Sequence, residues 1–393
     1  MTKLTGRARR WATRSILAAT SLVLAACTTL PSPGASSGPR IDTAKPVAVA
    51  LLVPSGSGQA SDEFLARGLE NAARLAMADL GGVKIDLRVY STAASAGQAA
   101  TVATQAVKDG AKIILGPLYA GSANAAGVAV AARNINVLSF SNNTDIAGGN
   151  VFVLGNTFEN TANRLVRYAV SQGKPRIMIL NGQDTAEEKG RAAIAAAIAR
   201  HRATSAGSIS FELSQNGIVS ALPNIKATAN SNGAQAIFMT SGTAAALPIL
   251  TQLMTDSGLG PSETQYIGLQ RWDIPASARE LPALQGGWFA MPSPRLAASY
   301  RERYTQAYGE SPPPLSELAY DGIAAIGALV GAGKSNALTG AALTQPTGFA
   351  GVNGIFRFRA DGTNERGLAV ARISEKQVTV IDPAPTSFGG AGF

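Results

Sequence analysis

The stretch Val47-Ala-Val-Ala-Leu-Leu-Val53, followed by Pro54-Ser-Gly-Ser-Gly58, decides the class of fold. Seven apolar residues in a row suit a short strand that is buried on both faces, as in a parallel sheet. In residues 62–80 the apolar side chains fall on one face of a helix, which Gly81-Gly82 brings to an end. A strand, a glycine–serine turn and an amphipathic helix together predict the opening unit of an α/β domain.

The same alternation continues as far as residue 269. Further strands are predicted at 85–90, 113–115, 137–140, 176–180, 208–213, 236–239 and 266–269, and helices at 96–109, 122–133, 161–171, 186–201, 219–230 and 244–256. Short turns between such elements imply parallel sheets covered by helices on both sides. Because a second series starts near residue 157, we expect two Rossmann-like lobes with a ligand cleft between them. In such sheets ligands bind in loops beyond the carboxyl ends of the strands, here residues 55–58, 116–122 and 141–143.

The N-terminus has the charged-then-apolar order of a secretory signal. Residues 3–14 carry five basic side chains and no acid, and the apolar run 15–26 is too short to cross a bilayer. The run ends in Leu24-Ala25-Ala26-Cys27, which resembles the bacterial lipobox, so we expect lipidation of Cys27 and a membrane anchor facing the periplasm of a Gram-negative cell. Thr28, rather than Asp, follows Cys27, which favours the outer over the inner membrane. Residues 27–45 are rich in Pro, Ser and Gly and are predicted to form a flexible tether.

Composition excludes several function classes. The net charge of +9 falls to +4 without residues 1–26, and no dense basic stripe with interleaved aromatics remains, so nucleic-acid binding is not expected. His201 is the only histidine and Cys27 the only cysteine, which excludes histidine-based triads and His/Cys metal clusters. We therefore expect no enzymatic activity, no metal and no cofactor. Gly331-Ala-Gly-Lys-Ser335 follows a predicted helix and lacks the first glycine of a phosphate-binding loop, so it is interpreted as a helix-ending turn.

Several segments, in this order and spacing, resemble the type I periplasmic binding proteins of the leucine/isoleucine/valine-binding family. They are the opening unit, Ile113-Ile-Leu-Gly-Pro117, Val137-Leu-Ser-Phe-Ser141, Ala319-Tyr-Asp-Gly322 and the stretch 349–362. The resemblance covers residues 46–381 and implies discontinuous lobes. It assigns 46–156 and 286–335 to the first lobe, 157–285 and 336–381 to the second, and 382–393 to a tail.

The resemblance also implies a binding site. In amino-acid receptors of this family, hydroxyl groups and backbone amides hold the ligand carboxylate, an acid meets the ammonium group, and a tyrosine encloses the ligand. This chain departs from that pattern: Ala120 stands where serine is usual, and Glu187 where tyrosine is usual. The loop 240–243 also lacks the expected acid. The candidate ligand-binding residues are Ser55, Tyr119, Ala120, Ser122, Ser141, Asn142, Asn143, Asp184, Glu187, Arg271 and Trp272.

Other conspicuous residues receive structural interpretations. Trp288 and Phe289 are predicted to lie in the core, and Tyr320-Asp321 to stabilise a helix junction. His201, between two arginines at a helix end, is predicted to lie on a solvated face and to complement the helix dipole.

Two functions follow from these observations. The first is capture of an amino acid or another small polar solute for delivery to the membrane permease of an ABC importer. The alternative rests on the loop ending at Tyr119 and on Asn150-Val-Phe-Val-Leu-Gly155, which also resemble penicillin-binding-protein activator lipoproteins. Such a protein regulates a peptidoglycan synthase by protein contact.

Overall fold

The computed structural model describes residues 38–244 and 246–389, so Cys27, the expected signal segment and most of the tether lie outside the described residues. The expected tether ends earlier than residue 45. The side chain of Ile41 is buried in the core of the first lobe, and its N–H donates to the carbonyl oxygen of Ser335 at 2.8 Å. The chain is therefore packed on the folded part from residue 41 onward.

The first lobe is built on a parallel sheet of five strands, in the order β2-β1-β3-β4-β5. The strands are β1 (Val47–Val53), β2 (Ile85–Ser91), β3 (Ile113–Leu115), β4 (Val137–Ser139) and β5 (Val151–Val153). The connecting helices are α1 (Ala60–Ala78), α2 (Ala96–Lys108) and α3 (Ala120–Val130). β1 lies between β2 and β3 and is almost wholly buried, as its unbroken apolar sequence predicts.

The second lobe is built on a mixed sheet of seven strands, in the order β15-β14-β10-β9-β8-β6-β7. Its strands are β6 (Arg176–Gly182), β7 (Thr204–Phe211), β8 (Ala236–Met239), β9 (Gln265–Gly268), β10 (Trp288–Met291), β14 (Ala369–Ser374) and β15 (Gln377–Asp382). Its helices are α4 (Phe158–Ser171), α5 (Thr185–Arg200), α6 (Gln215–Ser231) and α7 (Leu247–Asp256). Strands β6 to β10 are parallel, as expected, and β14 and β15, which are joined by a tight turn, add an antiparallel pair at one edge of the sheet.

The chain returns to the first lobe after β10. Helices α8 (Pro294–Tyr308), α9 (Ser316–Gly331) and α10 (Gly340–Leu343) are followed by a small antiparallel sheet of β11 (Phe349–Gly351), β12 (Gly354–Phe358) and β13 (Asn364–Arg366). Two expected lobe boundaries differ from this course. β10 pairs with β9 and β14, so it belongs to the second sheet, although the boundary was expected at residue 286. Phe349, Phe356 and Phe358 pack in the first core, although residues 336–381 were expected in the second lobe.

A buried polar network ties together the segments that cross between the lobes. Asn160 of α4 donates to the side chain of Asn364 at 2.6 Å, and Asn364 donates to the carbonyl oxygen of Val153 at 2.7 Å. Arg366 forms an ion pair of 3.0 Å with Asp321 of α9, and both side chains are almost completely buried. Asp321 thus joins α9 to the crossing strand β13, which agrees with the structural interpretation of Tyr320-Asp321.

Two further expectations are confirmed. Trp288 and Phe289 are buried in the core of the second lobe. α9 ends at Gly331, so Gly331-Ala-Gly-Lys-Ser335 is the turn that follows a helix. Within residues 38–244 and 246–389, no helix has both the length and the apolar character needed to cross a membrane.

Candidate functional site

A cavity of about 880 Å³ lies between the lobes. Its first wall consists of loops at the carboxyl ends of β3, β4 and β5, as parallel-sheet geometry predicts. The second lobe contributes the loop after β9 and the residue after β10, and α8 and the start of α9, which pack on the first lobe, complete the lining. The lining residues are Leu65, Leu118, Tyr119, Ala120, Phe140, Ser141, Asn142, Asn143, Gly155, Asn156, Arg271, Ile274, Pro292, Ala297, Tyr300, Arg301, Pro312, Pro313, Pro314, Leu315, Glu317, Leu318, Asn353, Arg366 and Leu368.

The loop after β3 is shaped by close backbone packing. Gly116 has a φ of +87°, and a side chain there would collide with the carbonyl oxygen of Leu52. Tyr119 follows at the mouth of the cavity, where its hydroxyl donates to the buried carboxylate of Asp62. This hydrogen bond, together with burial, raises the pKa of Tyr119. α3 begins at Ala120 without a side-chain cap, so its first-turn N–H groups have no intrahelical acceptor and suit an anion.

The loop after β4 contributes hydroxyl and amide groups. The hydroxyl oxygen of Ser141 accepts from the N–H of Asn143 at 3.1 Å, and the side-chain oxygen of Asn143 accepts from the N–H of Asp145 at 3.1 Å. These bonds fix a compact turn with Asn142 exposed at the cavity. The same turn meets the second lobe, because Lys189 of α5 donates to Asp145 at 2.5 Å.

Charged groups line other parts of the cavity. Arg271 forms a two-pronged ion pair with Asp273, at 2.9 Å and 2.5 Å. Arg301 of α8 is exposed at the cavity, and Glu317 lies half-buried at the start of α9. Burial raises the pKa of Glu317. Arg301 and Glu317 were not among the sequence candidates, because nothing in their local sequence indicates that α8 and α9 reach the cleft.

Six of the eleven candidates lie together in this lining: Tyr119, Ala120, Ser141, Asn142, Asn143 and Arg271. The other five lie outside it: Ser55, Ser122, Asp184, Glu187 and Trp272. Ser55 pairs with Ser91 of β2 at 2.6 Å between the hydroxyl oxygens, and Ser122 is buried in α3. Asp184 caps α5 by accepting from the N–H of Glu187 at 2.7 Å.

Glu187 is buried in a hydrogen-bond network within the second lobe. Its carboxylate accepts from the N–H of Gly182 at 2.5 Å, from the hydroxyl of Thr240 at 2.8 Å and from the hydroxyl of Ser241 at 2.8 Å. These donors come from the last residue of β6 and from the loop after β8. The carboxylate of Glu187 therefore satisfies donors at strand ends within the second lobe, and it does not line the cavity.

Trp272 packs inside the second lobe although it follows Arg271 directly. Its indole ring lies against Gly268 and Gly287, where an added Cβ at either glycine would collide with the ring. The side chain is completely buried. The ring is therefore accommodated by Gly268 at the end of β9 and Gly287 just before β10, and Arg271, but not Trp272, lines the cleft.

His201 also differs from its interpretation as a solvated residue. It is half-buried, its Nε2 atom is buried without a hydrogen-bond partner, and it lines a second cavity outside the cleft. No group of three or more His, Cys, Asp or Glu side chains among the described residues is placed to hold a metal ion.

A two-lobed α/β chain with a cleft at its strand ends is the arrangement that the sequence resemblance implied. A family model described as a periplasmic binding protein matches residues 46–377. The chain belongs to this family. A search of curated protein sequences finds no match.

Solved structures of periplasmic binding proteins share the fold. A protein of Rhodospirillum rubrum assigned to branched-chain amino acid ABC transport has 19% identity and a TM-score of 0.70, covering 86% of this chain and 100% of that one. A branched-chain amino acid ABC transporter ligand-binding protein of Burkholderia xenovorans has 18% identity and a TM-score of 0.67, covering 88% and 97%. A substrate-binding protein of Desulfitobacterium hafniense in complex with Leu has 17% identity and a TM-score of 0.62, covering 86% and 100%.

Proposed function

We propose that this protein captures an amino acid with an apolar side chain in the interlobe cleft and presents it to the permease of an ABC importer. The observation that carries the proposal is the cavity itself, which combines an uncapped helix start, three arginines and a single acid with an apolar lining. The relative from Desulfitobacterium hafniense, which was solved with Leu, supports the same class of ligand.

Each part of an amino acid has a complementary surface in the cleft. The first-turn N–H groups at Ala120, together with Arg301, suit the carboxylate. Glu317 is the one acidic side chain of the lining, and it suits the ammonium group. Leu118, Phe140 and the other apolar lining residues suit an aliphatic side chain.

Calorimetry tests this proposal directly. The chain is produced without residues 1–26 and with Cys27→Ser, and it is titrated with leucine, isoleucine, valine, phenylalanine and polar amino acids. Heat is expected from the apolar amino acids. Leucine analogues that lack either the carboxylate or the ammonium group should bind at least about tenfold more weakly, because each leaves a charged partner unmatched. A complete absence of heat across the panel contradicts the proposal.

Two variants on one helix separate binding from general charge effects. Arg301→Gln should weaken leucine binding by about tenfold, since it removes a cation from the cavity lining. Arg295→Gln removes the same charge from an exposed position of α8 outside that lining, and it should leave the affinity unchanged. Equal effects of the two variants contradict the assigned carboxylate site.

We also propose that Cys27 carries the lipid that holds the protein to the envelope membrane. The support is the sequence Leu24-Ala25-Ala26-Cys27 after a charged and apolar segment. Metabolic labelling with an alkyne-tagged fatty acid should label the wild type and not Cys27→Ser.

Crosslinking in cells should recover a permease. No observation in the structure favours a peptidoglycan synthase as the partner, and recovery of a synthase instead would overturn the transport proposal.

A further inference from the structure

The chain enters every strand of the first sheet at the edge that is remote from the cleft. All five strands are parallel, and the cleft lies at their carboxyl ends, so the turns that lead into the strands lie together at the amino edge. Helix α1 connects the two ends: Leu65 lines the cleft, and the 19 residues of the helix extend about 28 Å towards the amino edge. The segment after α9 lies at this edge too, because Asn136 donates to the carbonyl oxygen of Leu338 at 2.8 Å.

Basic side chains predominate at this amino edge. The segments 38–46, 79–84, 108–112, 131–136 and 332–339 contain seven basic residues and three acidic ones. The seven, here called the basic face, are Arg40, Lys45, Lys84, Lys108, Lys112, Arg133 and Lys334. All of them are exposed except Lys112, which is half-buried. The chain from residue 27 onward has a net charge of +4, and these segments alone account for that excess.

The three acids of these segments already have partners within the protein. Asp79 forms an ion pair of 2.5 Å with Arg303 of α8, and Asp42 lies 3.5 Å from Lys45. The carboxylate of Asp109 accepts hydrogen bonds from a tyrosine hydroxyl and a glutamine amide. These acids therefore leave most of the basic face uncompensated.

The cations of the basic face are largely without ion-pair partners. Of the seven, only Lys45 forms an ion pair with another residue of the part of the chain that the structure describes. Asp86, which follows Lys84 closely, is paired with Arg88 at 2.5 Å on the same strand. Exposed cations without partners attract an anionic surface across about one Debye length, roughly 10 Å at moderate salt.

The N-terminal chain joins the folded part at this same face. The N–H of Ile41 and the guanidinium group of Arg40 donate to the carbonyl and the hydroxyl oxygen of Ser335, at 2.8 Å and 3.3 Å. Ten residues separate Cys27 from Gly38. Even a fully extended chain of this length keeps a lipid on Cys27 within about 40 Å of Gly38. The anchor point and the excess of positive charge therefore lie on one side of the molecule.

We propose that the basic face lies on the anionic lipid surface of the membrane that holds the protein through Cys27. The anchor rests on the lipidation proposed above, whereas the charge complementarity belongs to the folded chain. Each lysine or arginine close to an anionic bilayer strengthens binding by about fivefold. In this orientation the cleft opens away from the anchoring membrane. In the outer membrane, which Thr28 favours, it points towards the permeases of the inner membrane.

Vesicle sedimentation tests the charge complementarity without the lipid. The chain lacking residues 1–26 and carrying Cys27→Ser is mixed with vesicles of phosphatidylcholine alone or with about 30% phosphatidylglycerol. We expect binding to the anionic vesicles only, with at least a tenfold loss between about 50 mM and 300 mM salt. Equal binding to both vesicles, or binding to neither, overturns the proposal. Because this chain has no lipid, a failure of Cys27 lipidation leaves the result unaffected.

Two triple variants of equal charge locate the contact. The first removes three unpaired cations of the basic face: Lys84→Gln, Lys112→Gln and Lys334→Gln. The second removes three exposed cations elsewhere: Lys226→Gln, Arg295→Gln and Arg372→Gln. The first should weaken binding to anionic vesicles at least about tenfold more than the second. Equal losses reduce the effect to net charge and contradict a defined face. Neither triple variant should change leucine affinity, so a failure of the cleft proposal is recognised separately.

Fluorescence quenching tests the orientation. A fluorophore is attached to the Cys27→Ser chain at Lys334→Cys in the basic face or at Asn142→Cys in the cleft, and the anionic vesicles contain lipids with a nitroxide on the headgroup. We expect strong quenching at position 334 and little at position 142. Equal quenching at both positions, or stronger quenching at 142, overturns the orientation.

Discussion

Lys189 Nζ lies 2.5 Å from Asp145 Oδ2, and this ion pair joins α5 of the second lobe to the loop after β4 of the first. The same ammonium group is 3.4 Å from the side-chain oxygen of Asn143, which lines the cleft. Both charged side chains are well exposed, at 43% and 65%. The contact bridges the edge of the cleft, where it stabilises the lobe arrangement seen here.

Replacing Lys189 with Gln should shift the protein towards more open arrangements. An exposed ion pair contributes up to about 1 kcal/mol, so affinity for the cleft ligand should fall by at most about fivefold. Small-angle X-ray scattering of the ligand-free protein should show a larger radius of gyration. Lys226→Gln is the matched control, because it removes the same charge from α6. Indistinguishable scattering from the two variants contradicts a bridging role.

We expect the ionisation of Glu317 to make the stability of the protein depend on pH. Burial raises the pKa of Glu317 in the folded state above the usual value of 4.5. The stabilisation by its protonated form is therefore complete below pH 4.5, and it is lost as the pH rises through the folded-state pKa and the buried carboxylate ionises. Glu317→Gln should therefore unfold like the wild type at pH 4 and at higher urea concentration than the wild type at pH 7. The readout is urea unfolding at both pH values.

A glutamate at the surface provides the comparison for this experiment. Glu302→Gln on α8, at an exposed position, should show no such pH-dependent gain. If Glu317→Gln and wild type differ equally at pH 4 and pH 7, the effect does not come from ionisation of Glu317.

We expect Glu187 to stabilise the second lobe and not to bind the solute. Glu187→Ala leaves the N–H of Gly182 and the hydroxyls of Thr240 and Ser241 without their acceptor, and it should lower the free energy of unfolding by roughly 2–5 kcal/mol. Glu187→Gln keeps one accepting oxygen and should cost less. Chemical denaturation measures both. If Glu187→Ala abolishes solute binding while its unfolding free energy stays at the wild-type value, Glu187 belongs to the ligand site.

Trp272 and Tyr119 should respond to substitution differently. Trp272→Ala removes a completely buried ring and should lower the free energy of unfolding by about 3–5 kcal/mol. Tyr119→Ala changes a side chain that is 41% exposed at the cavity, so it should alter ligand affinity, and its loss of the hydrogen bond to the buried carboxylate of Asp62 should cost about 1–3 kcal/mol of stability. Denaturation and calorimetry on both variants provide the comparison, and a reversed pattern contradicts the placement of the two rings.

The strand and helix order of the first lobe could be predicted from β1 to β4, because apolar runs and amphipathic faces are local signals, whereas the three-residue strand β5 was not recognised. β1 agrees with its predicted limits, and α1 lies within two residues of them. The antiparallel pair β14 and β15 was not recognised, since its position depends on a return of the chain to the second sheet.

The site was predictable only in part, for a related reason. The loops after β3 and β4 follow from parallel-sheet geometry, so Tyr119 and Ser141 were found. Glu187 was misassigned because its partner Thr240 lies 53 residues away in sequence. Trp272 was misassigned because its burial depends on Gly287, which belongs to a different strand connection. Arg301 and Glu317 reach the cavity because α8 and α9, which follow the second sheet in sequence, return to pack on the first lobe.

The core of the first lobe contains Phe349, Phe356 and Phe358, which lie close to the end of the chain. About half of the buried residues of that core lie in residues 300–358, so the core stays incomplete until most of the polypeptide has emerged from the ribosome or from a translocation channel. Contacts between such distant segments close late and slow the final folding step. A fragment that stops before α9 has the complete first sheet in its sequence but lacks the helix that packs beside α1 on one face of that sheet, so it should aggregate or be degraded.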